Sequence, residues 1–495
     1  MKNHKILLIE PPFYRLFKET YGLVRYPLSL GYLASSVKAG VDWDIMTYNA
    51  DFITASDPFE VTYFKGAGFA RYRRTLCDIS HRIWQGIRDV ISGYAPAVVG
   101  ISAKSSTFAS VLRVAGIAKT INPEIVVIVG GSHPSAVFSK TFDTTGIKGG
   151  QVNRTEAGGE VFCRDIDMFV AGEGEVTIVA LLDALERHKS PDRIRGIVYR
   201  KGEDLMATLP GRPVKNLDAL PFPYQYAPYV LKDYEIYPLS AFSNVFATRG
   251  CPYRCLFCGS RNVWGRGVRF RSPHNVVEEI LNLQSIGIND IHFVDDTFGV
   301  TTPYLQALCQ AIKSSCPGIS WSCEIHVRLV NDKNISIMKE AGCFMIQVGI
   351  ESGNDEILKE VRKGFTIEEA LAACNIIRNH GINLQTFFMA GFPQETEASL
   401  KDTAKVIEEI ECEKIIYSIF TPYPGTEAFE LCRGKGMIAP DYDPSLYCHQ
   451  SPENCFCVNL SHERFRKLSS RIEETVVQKN SAMRSRMEQS ERTHT

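Results

Sequence analysis

The run Cys251-Pro-Tyr-Arg-Cys255-Leu-Phe-Cys258-Gly259 places three cysteines in one short loop, directly after an apolar stretch that ends at Thr248. A structural zinc site is normally closed by four protein ligands. Three thiols with no fourth cysteine nearby instead suit a four-iron cluster in which one iron stays open for another molecule. We therefore predict that Cys251, Cys255 and Cys258 bind a [4Fe-4S] cluster. The spacing by itself leaves a zinc knuckle or unligated thiols as alternatives.

Composition narrows the class of protein. The chain has 495 residues, of which 44% are apolar and 22% charged, and its net charge is −1. That length predicts more than one domain, and the balanced charge gives no sign of a nucleic-acid partner. No apolar run approaches the length of a transmembrane helix, so we expect no membrane span. The 15 cysteines are scattered without secretory features, which favours a cytoplasmic enzyme with reduced thiols.

Residues 1–187 alternate short apolar runs with amphipathic ones. The expected strands lie at 5–10, 43–48, 97–102, 125–129 and 167–171. Alternating strands and helices predict a doubly wound, parallel α/β sheet of the Rossmann-like type. Ligands of such sheets bind outside the carboxyl ends of the strands. The expected ligand-facing edge therefore consists of the loops at 102–106, 130–134 and 172–175.

The remaining chain divides into three segments. Residues 188–240 are predicted to form a linker with a small hairpin. Residues 241–430 contain six strand-like runs separated by helical ones, which predicts a partial (β/α)6 barrel. Chemistry in such a barrel gathers at the carboxyl ends of the strands, and the cysteine loop follows the first of them. Residues 431–495 are expected to form a C-terminal extension of a loop and one helix.

The cysteine run resembles the CxxxCxxC signature of the radical S-adenosylmethionine (SAM) enzymes, and later motifs extend the resemblance over about residues 242 to 430. They are Phe293-Val-Asp-Asp296, Gly349-Ile-Glu351-Ser352 and Gly391-Phe392-Pro393. The resemblance assigns these residues to SAM binding: Phe257, Asp295, Asp296, Arg328, Glu351, Ser352, Gly391, Phe392 and Pro393. Local roles are the alternatives, namely helix caps for the acidic residues and an ordinary ion pair for Arg328.

Residues 1–187 resemble the cobalamin-binding domain that precedes this barrel in one large subclass of the family. The matching runs are Pro27-Leu-Ser-Leu-Gly31-Tyr-Leu-Ala34, Gly130-Gly-Ser-His133-Pro134 and Ala171-Gly-Glu-Gly-Glu175. The implied cobalamin contacts are Ser102, Ser105, Ser106, Gly130, Gly131, His133, Gly172 and Glu173. For Glu173 and Glu175 the alternative is a role as acids in the first turn of a helix.

One departure from other cobalamin proteins concerns the lower ligand of cobalt. Their DxHxxG pattern, whose histidine binds cobalt from below, is absent, and the nearest run, Asp290-Ile-His292, lacks the final glycine. The resemblance therefore implies cobalamin without a lower axial histidine. We expect His133 to lie near the corrinoid without binding cobalt.

The resemblance implies a cobalamin-dependent radical SAM methyltransferase acting on an unactivated carbon of a small molecule, such as a secondary metabolite or lipid. In the family's mechanism a 5′-deoxyadenosyl radical removes a substrate hydrogen and methylcobalamin supplies the methyl group. A reductant protein such as flavodoxin or ferredoxin would supply electrons. The alternative is cyclisation, ring contraction or oxidative rearrangement without methyl transfer, and a corrinoid- or redox-sensing module is a third hypothesis. The spacing of Cys448, Cys455 and Cys457 matches no cluster signature, which favours buried or lining thiols, with a second metal site as the alternative.

Overall fold

The computed structural model describes residues 3–54, 67–144, 150–151, 163–265, 267–439, 441–447, 451 and 454–492. Cys448, one of the three cysteines considered for a second metal site, lies outside these residues. Within the described residues the predicted α/β architecture of two successive parallel sheets is confirmed.

The first sheet contains eight strands in the order β2-β1-β3-β4-β6-β7-β8-β5. Their bounds are β1 Lys5–Glu10, β2 Asp44–Asn49, β3 Val98–Ser102, β4 Val126–Gly130, β5 Gly150–Gln151, β6 Met168–Val170, β7 Ile197–Lys201 and β8 Asp204–Ala207. The strands from β2 to β6 in that order pair in parallel. The carboxyl ends of β1, β3, β4 and β6 therefore meet at one edge.

Helices cover both faces of this sheet because successive residues of a strand point to opposite sides. In β1, Ile6 and Leu8 belong to one core cluster, and Leu7 and Ile9 belong to the other. The helices around the sheet are α1 Tyr14–Phe17, α2 Leu28–Gly40, α3 Ala67–Cys77, α4 Arg82–Tyr94, α5 Phe108–Ile121, α6 Ser132–Thr144 and α7 Glu175–Glu186. Helices α2 and α7 pack together on the face of Ile6 and Leu8, whereas α4 and α5 pack on the opposite face.

The hairpin expected in the linker belongs instead to the first sheet. Strand β7 pairs antiparallel with β6, and β8 pairs antiparallel with β7. A strand at the edge of a sheet presents unpaired N–H and C=O groups. Strand β7 of the hairpin pairs with these groups on β6. The short helix α8, Ala227–Val230, lies in the segment that follows.

The second sheet has six parallel strands in the order β16-β15-β14-β13-β12-β9. Their bounds are β9 Asn244–Val245, β12 Asp290–Phe293, β13 Ser320–Ile325, β14 Cys343–Glu351, β15 Asn383–Ala390 and β16 Lys414–Ile419. Between β9 and β12 lies a small antiparallel pair, β10 Thr248–Arg249 and β11 Arg269–Phe270. This open sequence of parallel strands is the arrangement expected of a partial barrel.

Helices alternate with the strands of the second sheet. They are α9 Ser260–Trp264, α10 Pro273–Ser285, α11 Thr302–Ser315, α12 Asp332–Glu340, α13 Asp355–Glu360, α14 Ile367–Asn379, α15 Glu397–Glu409, α16 Glu427–Gly434 and α17 His462–Arg492. The last helix, α17, closes the outer edge of the sheet: the side chain of Asn480 hydrogen-bonds both the N–H and the carbonyl of Ile415 in β16, at 2.9 and 2.8 Å. None of the helices in the described part of the chain is long and apolar enough to span a membrane.

Gly131, in the loop after β4, allows a test of how closely this loop packs against the chain that follows β3. Gly131 has φ +124°, and a Cβ there would lie 2.6 Å from the carbonyl oxygen of Ala103. We predict that Gly131→Ala lowers the free energy of unfolding by about 1–3 kcal/mol or more, because strain and a backbone clash add. The matched control is Gly202→Ala, at φ +63° with no atom within 4 Å of the added Cβ. Thermal unfolding of the two variants measures the difference, and equal destabilisation would contradict the proposed clash.

Candidate active site

The cysteine loop begins at the carboxyl end of the barrel's first strand, and a buried carboxylate holds the chain just before it. Asp295 accepts hydrogen bonds from the backbone N–H of Ala247 at 3.1 Å and from the N–H and hydroxyl of Thr248. Burial raises the pKa of Asp295 to about 7, an effect that these hydrogen bonds oppose. Asp295, which the sequence predicts to bind SAM, therefore holds the backbone just before the cysteine loop.

Asp296 takes a different position from its neighbour. Its side chain is exposed and its charge acts on the thiols of Cys251 and Cys258, while desolvation by the surrounding protein raises the pKa of its carboxyl group. Burial also raises the pKa of Cys251 to about 12 and raises the pKa of Cys255 and Cys258. Because thiolates are the metal-binding form, loading a metal here must release protons.

The described residues contain no group of three His, Cys, Asp or Glu side chains that surrounds a point suitable for a single metal ion. Thiolates that bind a cubane cluster each ligate a different iron, so they need not converge on one point. The three cysteines nevertheless share one loop and one side of the barrel.

A buried ion pair faces this loop from the fourth strand. The Nζ of Lys363 lies 3.1 Å from Oε1 of Glu351, and the two side chains are only 8% and 11% exposed. Glu351 has φ +74° and sits at a register shift between β14 and β15, so a β-bulge re-aims its side chain. Burial opposes the charge on Lys363, but Glu351 and then Cys255 raise the pKa of this lysine. Lys363 is thus a fixed positive charge beside the cysteines.

Sequence reasoning missed Lys363. It lies in the run Arg362-Lys363-Gly364 after α13, where a lysine has the appearance of an ordinary surface charge. No local pattern distinguishes it from Arg362, which is half exposed and pairs with Glu427. Only the fold reveals that one of the two neighbouring cations is buried.

An aromatic stack orders the loop and the third strand. The rings of Tyr253 and His326 lie parallel with centroids 3.5 Å apart. His326 accepts the N–H of Arg328 at Nδ1 and donates from Nε2 to the carbonyl of Lys363, at 3.3 and 3.2 Å. Burial lowers the pKa of His326 to about 3, so this ring is neutral. Arg328 itself is exposed and lies beside Gly364.

Glu324 adds a further acid to this side of the barrel. Its side chain is solvent-accessible, but desolvation by the surrounding protein and the nearby charges of Glu351 and Asp296 raise its pKa to about 7. The lumen next to the cysteine loop therefore contains both acidic groups and the buried cation Lys363.

The fifth-strand motif lies against the cysteine loop. The ring of Phe257 is 5.7 Å from the ring of Phe392, which is itself buried. Gly391 has φ +100°, and its N–H is accepted by the carboxyl group of Glu395, whose pKa burial raises to about 8. Pro393, the last residue of the motif, binds the C-terminal segment: its carbonyl accepts the N–H of Val458 at 2.9 Å.

Ser352, predicted to bind SAM, has its hydroxyl engaged within the protein. It is completely buried, and its hydroxyl lies 3.3 Å from Oγ1 of Thr403 and accepts the N–H of Asn354 at 3.2 Å. The short hydroxyl side chain caps the turn that leads into α13. The register shift next to Glu351 places these neighbouring side chains in different surroundings, and SAM binding by Ser352 stays a prediction.

A cavity of about 730 Å³ lies between the edge of the first sheet and the cysteine side of the barrel. It is lined by seven residues predicted to contact cobalamin, namely Ser102, Ser105, Ser106, Gly130, Gly131, Gly172 and Glu173. Barrel residues near the cysteine loop line the same cavity: Arg249, Gly259, Asn262, Val263 and Trp264. Its inner end is apolar and lies between the sheet and helices α2 and α7, where Leu8, Leu30, Ile128, Val170 and Ile178 contribute.

His133 lies directly behind the lining of this cavity, next to Ser105. It is 3% exposed; its Nδ1 lies 3.0 Å from Oγ of Ser105, and its ring packs 4.2 Å from that of Phe108. Burial lowers the pKa of His133 to about 3, so the ring is neutral. His133 supports Ser105, and Ser105 is the residue that faces the cavity.

The carboxylate of Glu173 is also engaged within the protein. It lies 2.9 Å from Nη1 of Arg249 and 2.7 Å from Nη1 of Arg269, and its side chain is 2% exposed. It further accepts the N–H of Val214. Glu173 borders the cavity, but its charge is neutralised by these partners and is not available to a ligand.

The C-terminal thiols lie near the fifth-strand motif. Cys455 is half-buried and Cys457 is buried. A hydrogen bond with Cys457 lowers the pKa of Cys455 to about 6, and the same bond raises that of Cys457. The described residues place no third metal ligand around this pair.

Comparisons with known proteins agree with this geometry. Residues 245–407 match the model of the radical SAM superfamily. An uncharacterized methyltransferase of Pyrococcus horikoshii is 30% identical over 446 residues, which cover 88% of this chain and 85% of that protein. Cytidylyl-2-hydroxyethylphosphonate methyltransferase of Streptomyces wedmorensis is 26% identical over 90% of this chain and 84% of its own length.

Among solved structures, the radical SAM methyltransferase TsrM from Kitasatospora setae, with cobalamin and a [4Fe-4S] cluster bound, shares the fold. The TM-score is 0.62 at 15% identity, over 87% of this chain and 79% of TsrM. The cobalamin-dependent radical SAM enzyme OxsB matches with a TM-score of 0.61 at 17% identity, over 96% of this chain and 62% of its own.

The fold and the cysteine loop thus define an enzyme in which a parallel sheet precedes a partial barrel that carries three clustered thiols. The chain belongs to the radical SAM superfamily, together with the Pyrococcus methyltransferase that it resembles over most of its length.

The Lys363–Glu351 pair gives a test of the site's electrostatics in the cofactor-free protein. We predict that Glu351→Gln and Lys363→Met each cost about 3–5 kcal/mol of unfolding free energy, because each leaves one buried charge alone. The double variant should be more stable than the sum of the single effects implies. Urea unfolding of the four proteins gives the coupling energy.

The matched control is the adjacent exposed pair, Arg362 with Glu427, whose side chains are 50% and 54% exposed. Glu427→Gln should cost about 1 kcal/mol or less because water screens that pair. Additive single effects at Glu351 and Lys363, no larger than the control, would contradict the assignment of a buried pair.

Proposed function

We propose that this chain is a cobalamin-dependent radical SAM methyltransferase that methylates an unactivated carbon of a small molecule. The observation that carries the proposal is the single cavity lined from one side by the Ser and Gly loops of the first sheet and from the other by residues around the cysteine loop. Two cofactors held on these two sides would face one substrate.

The barrel side fits an iron–sulfur cluster with SAM. Cys251, Cys255 and Cys258 share one loop, and Lys363 places a positive charge beside two of them, which would stabilise an anionic thiolate cluster. Arg328 is an exposed cation near Gly364, suited to a carboxylate. With the cluster and SAM bound, the site would gain radical chemistry, and bound cobalamin would carry the methyl group.

The first-sheet side fits a corrinoid. The hydroxyls of Ser102, Ser105 and Ser106 offer hydrogen bonds to amide side chains, and Gly130 and Gly172 let a flat ring approach the backbone, since an added Cβ at either would meet no atom closer than 3.7 Å. The apolar inner end would receive the less polar part of the ligand. No histidine lines the cavity in the described residues, so we propose that cobalamin binds without a lower axial histidine.

Relatives support methyl transfer to carbon. Besides the two methyltransferases above, the chain resembles bacteriochlorophyllide d C-12(1)-methyltransferase of Chlorobaculum tepidum and hopanoid C-3 methylase of Methylococcus capsulatus, at 28% and 26% identity. Those names describe large apolar substrates, and the apolar character of the cavity is compatible with such a molecule. The proposal includes a cytoplasmic location and a flavodoxin or ferredoxin as electron donor, because a low-potential cluster needs one.

A second candidate function is oxidative cyclisation without methyl transfer. The anaerobic magnesium-protoporphyrin IX monomethyl ester cyclase of Synechocystis is 25% identical over 71% of this chain. The fold and the cysteine loop serve either reaction.

The cluster assignment is tested by Cys255→Ala. We predict that the variant, reconstituted anaerobically with iron and sulfide, loses the bound cluster and all SAM cleavage, since two thiolates cannot hold the cubane in place. Iron analysis and detection of 5′-deoxyadenosine measure both losses. The matched control is Cys77→Ala, an exposed thiol in α3, which should retain the iron and cleavage of the parent. Stoichiometric iron and 5′-deoxyadenosine in the Cys255 variant would refute the assignment.

Product analysis decides between the two functions. Incubation of the loaded enzyme with SAM carrying a deuterated methyl group should give a product heavier by the labelled methyl, together with S-adenosylhomocysteine. A product without the label, accompanied by 5′-deoxyadenosine alone, would favour cyclisation or rearrangement and overturn methyl transfer.

A further inference from the structure

The residue just before the cysteine loop is a buried arginine that reaches the first sheet. Arg249 is separated from Cys251 by Gly250 alone, and its side chain is 3% exposed. Its Nη1 lies 2.9 Å from Oε1 of Glu173, and its Nη2 lies 2.7 Å from Oε1 of Glu175. One guanidinium thus binds two carboxylates with separate nitrogens, which fixes its orientation as well as its position.

Both carboxylates come from the loop that borders the cavity on the first-sheet side. Glu173 follows Gly172 after β6, and Glu175 begins α7. The carboxylate of Glu173 is shared with Arg269 of β11, whose Nη1 also donates to the carbonyl of Val214 at 2.7 Å. Two cations and two anions therefore balance within one buried network.

Aromatic rings from helix α2 beside the first sheet and from the barrel enclose the guanidinium of Arg249. Its Cζ lies 4.9 Å from the ring centre of Tyr32 in α2 and 5.0 Å from that of Trp264 in α9. The ring of Phe246, just after β9, is 5.8 Å away. These rings exclude water, so the ion pairs are weakly screened and their geometry is stiff.

Stability alone does not explain such a network. Buried ion pairs contribute little more than apolar residues of the same volume, because desolvation offsets the attraction, but they do fix the geometry of the groups they join. The groups joined here are the loop 172–175 and the residue next to the first cysteine.

We propose that Arg249 is a positioning residue that sets the distance and orientation between the cysteine loop and the corrinoid-facing loop at 172–175. This inference rests on the proposed function, in which the two loops carry the two cofactors. Glu173 and Glu175 serve as its anchors, which explains why these acids stand beside the cavity without facing a ligand.

The first test uses the cofactor-free chain and is independent of the proposed function. Arg249→Lys keeps the charge but cannot hold both carboxylates in the same geometry, and Glu175→Gln removes one anchor. In each variant, hydrogen exchange of the amides at 250–258 should accelerate about tenfold, while exchange in β14 stays at the parent rate. The matched control is Arg113→Lys in α5, whose Nη2 donates to the carbonyl of Leu76 at 2.9 Å on the face of the first sheet opposite α2 and α7; its exchange at 250–258 should match the parent. Unchanged exchange at 250–258 in both test variants would overturn the inference.

The second test uses the loaded enzyme. With the cluster reduced and cobalamin in its Co(II) state, the magnetic coupling between the two centres reports their separation in electron paramagnetic resonance spectra. Arg249→Lys should retain the iron and cobalamin content of the parent but show weaker, broadly distributed coupling, while Arg113→Lys shows the parental coupling. Parental coupling in Arg249→Lys would overturn the inference. If the parent binds no cobalamin, the proposed function fails, and the exchange measurement alone decides whether Arg249 positions the loop.

Discussion

Buried carboxylates on both sides hold the backbone that leads into the cysteine loop. Asp295, at the carboxyl end of the second barrel strand, binds the amides of Ala247 and Thr248. Glu173 and Glu175, at the corresponding edge of the first sheet, bind the next side chain, Arg249. The loop itself packs through Leu256 and Phe257, and the buried hydrogen bonds fix the direction of the backbone that enters it.

This arrangement brings two parallel sheets together by their functional edges. Carboxyl ends of parallel strands are where ligands bind in both open sheets and barrels. Here one cavity is lined by loops from both edges, so cofactors bound to either would share a substrate. The inner end of this cavity is apolar, whereas the buried charges of Glu351 and Lys363 pair outside its lining.

Sequence patterns were sufficient for the fold and for the cysteine motif. Apolar residues recur with different periods in strands and in helices, so the alternation of the two patterns along the chain predicts parallel sheets. The cysteine spacing predicts the cluster loop. The patterns were less informative about individual side chains. Ser352 and Glu351 are neighbours in one motif, but a β-bulge sends them to different surroundings.

Burial decides the other differences from the sequence-based expectations. Lys363 resembles Arg362 in sequence, but only Lys363 is enclosed next to the thiols. Glu173 and His133 lie in the predicted ligand-facing loops, yet Arg249 and Ser105 engage them from within the protein. Such partnerships join residues 28 to 76 positions apart, and no local pattern encodes them.

The most direct test of the account is the position of the two metals in one crystal of the loaded enzyme. Anomalous diffraction recorded at the iron and cobalt absorption edges would locate each element separately. We predict iron at the loop of Cys251, Cys255 and Cys258, and cobalt in the shared cavity beside Ser105 and Gly130. Cobalt bound outside that cavity, or zinc in place of iron at the cysteine loop, would contradict it.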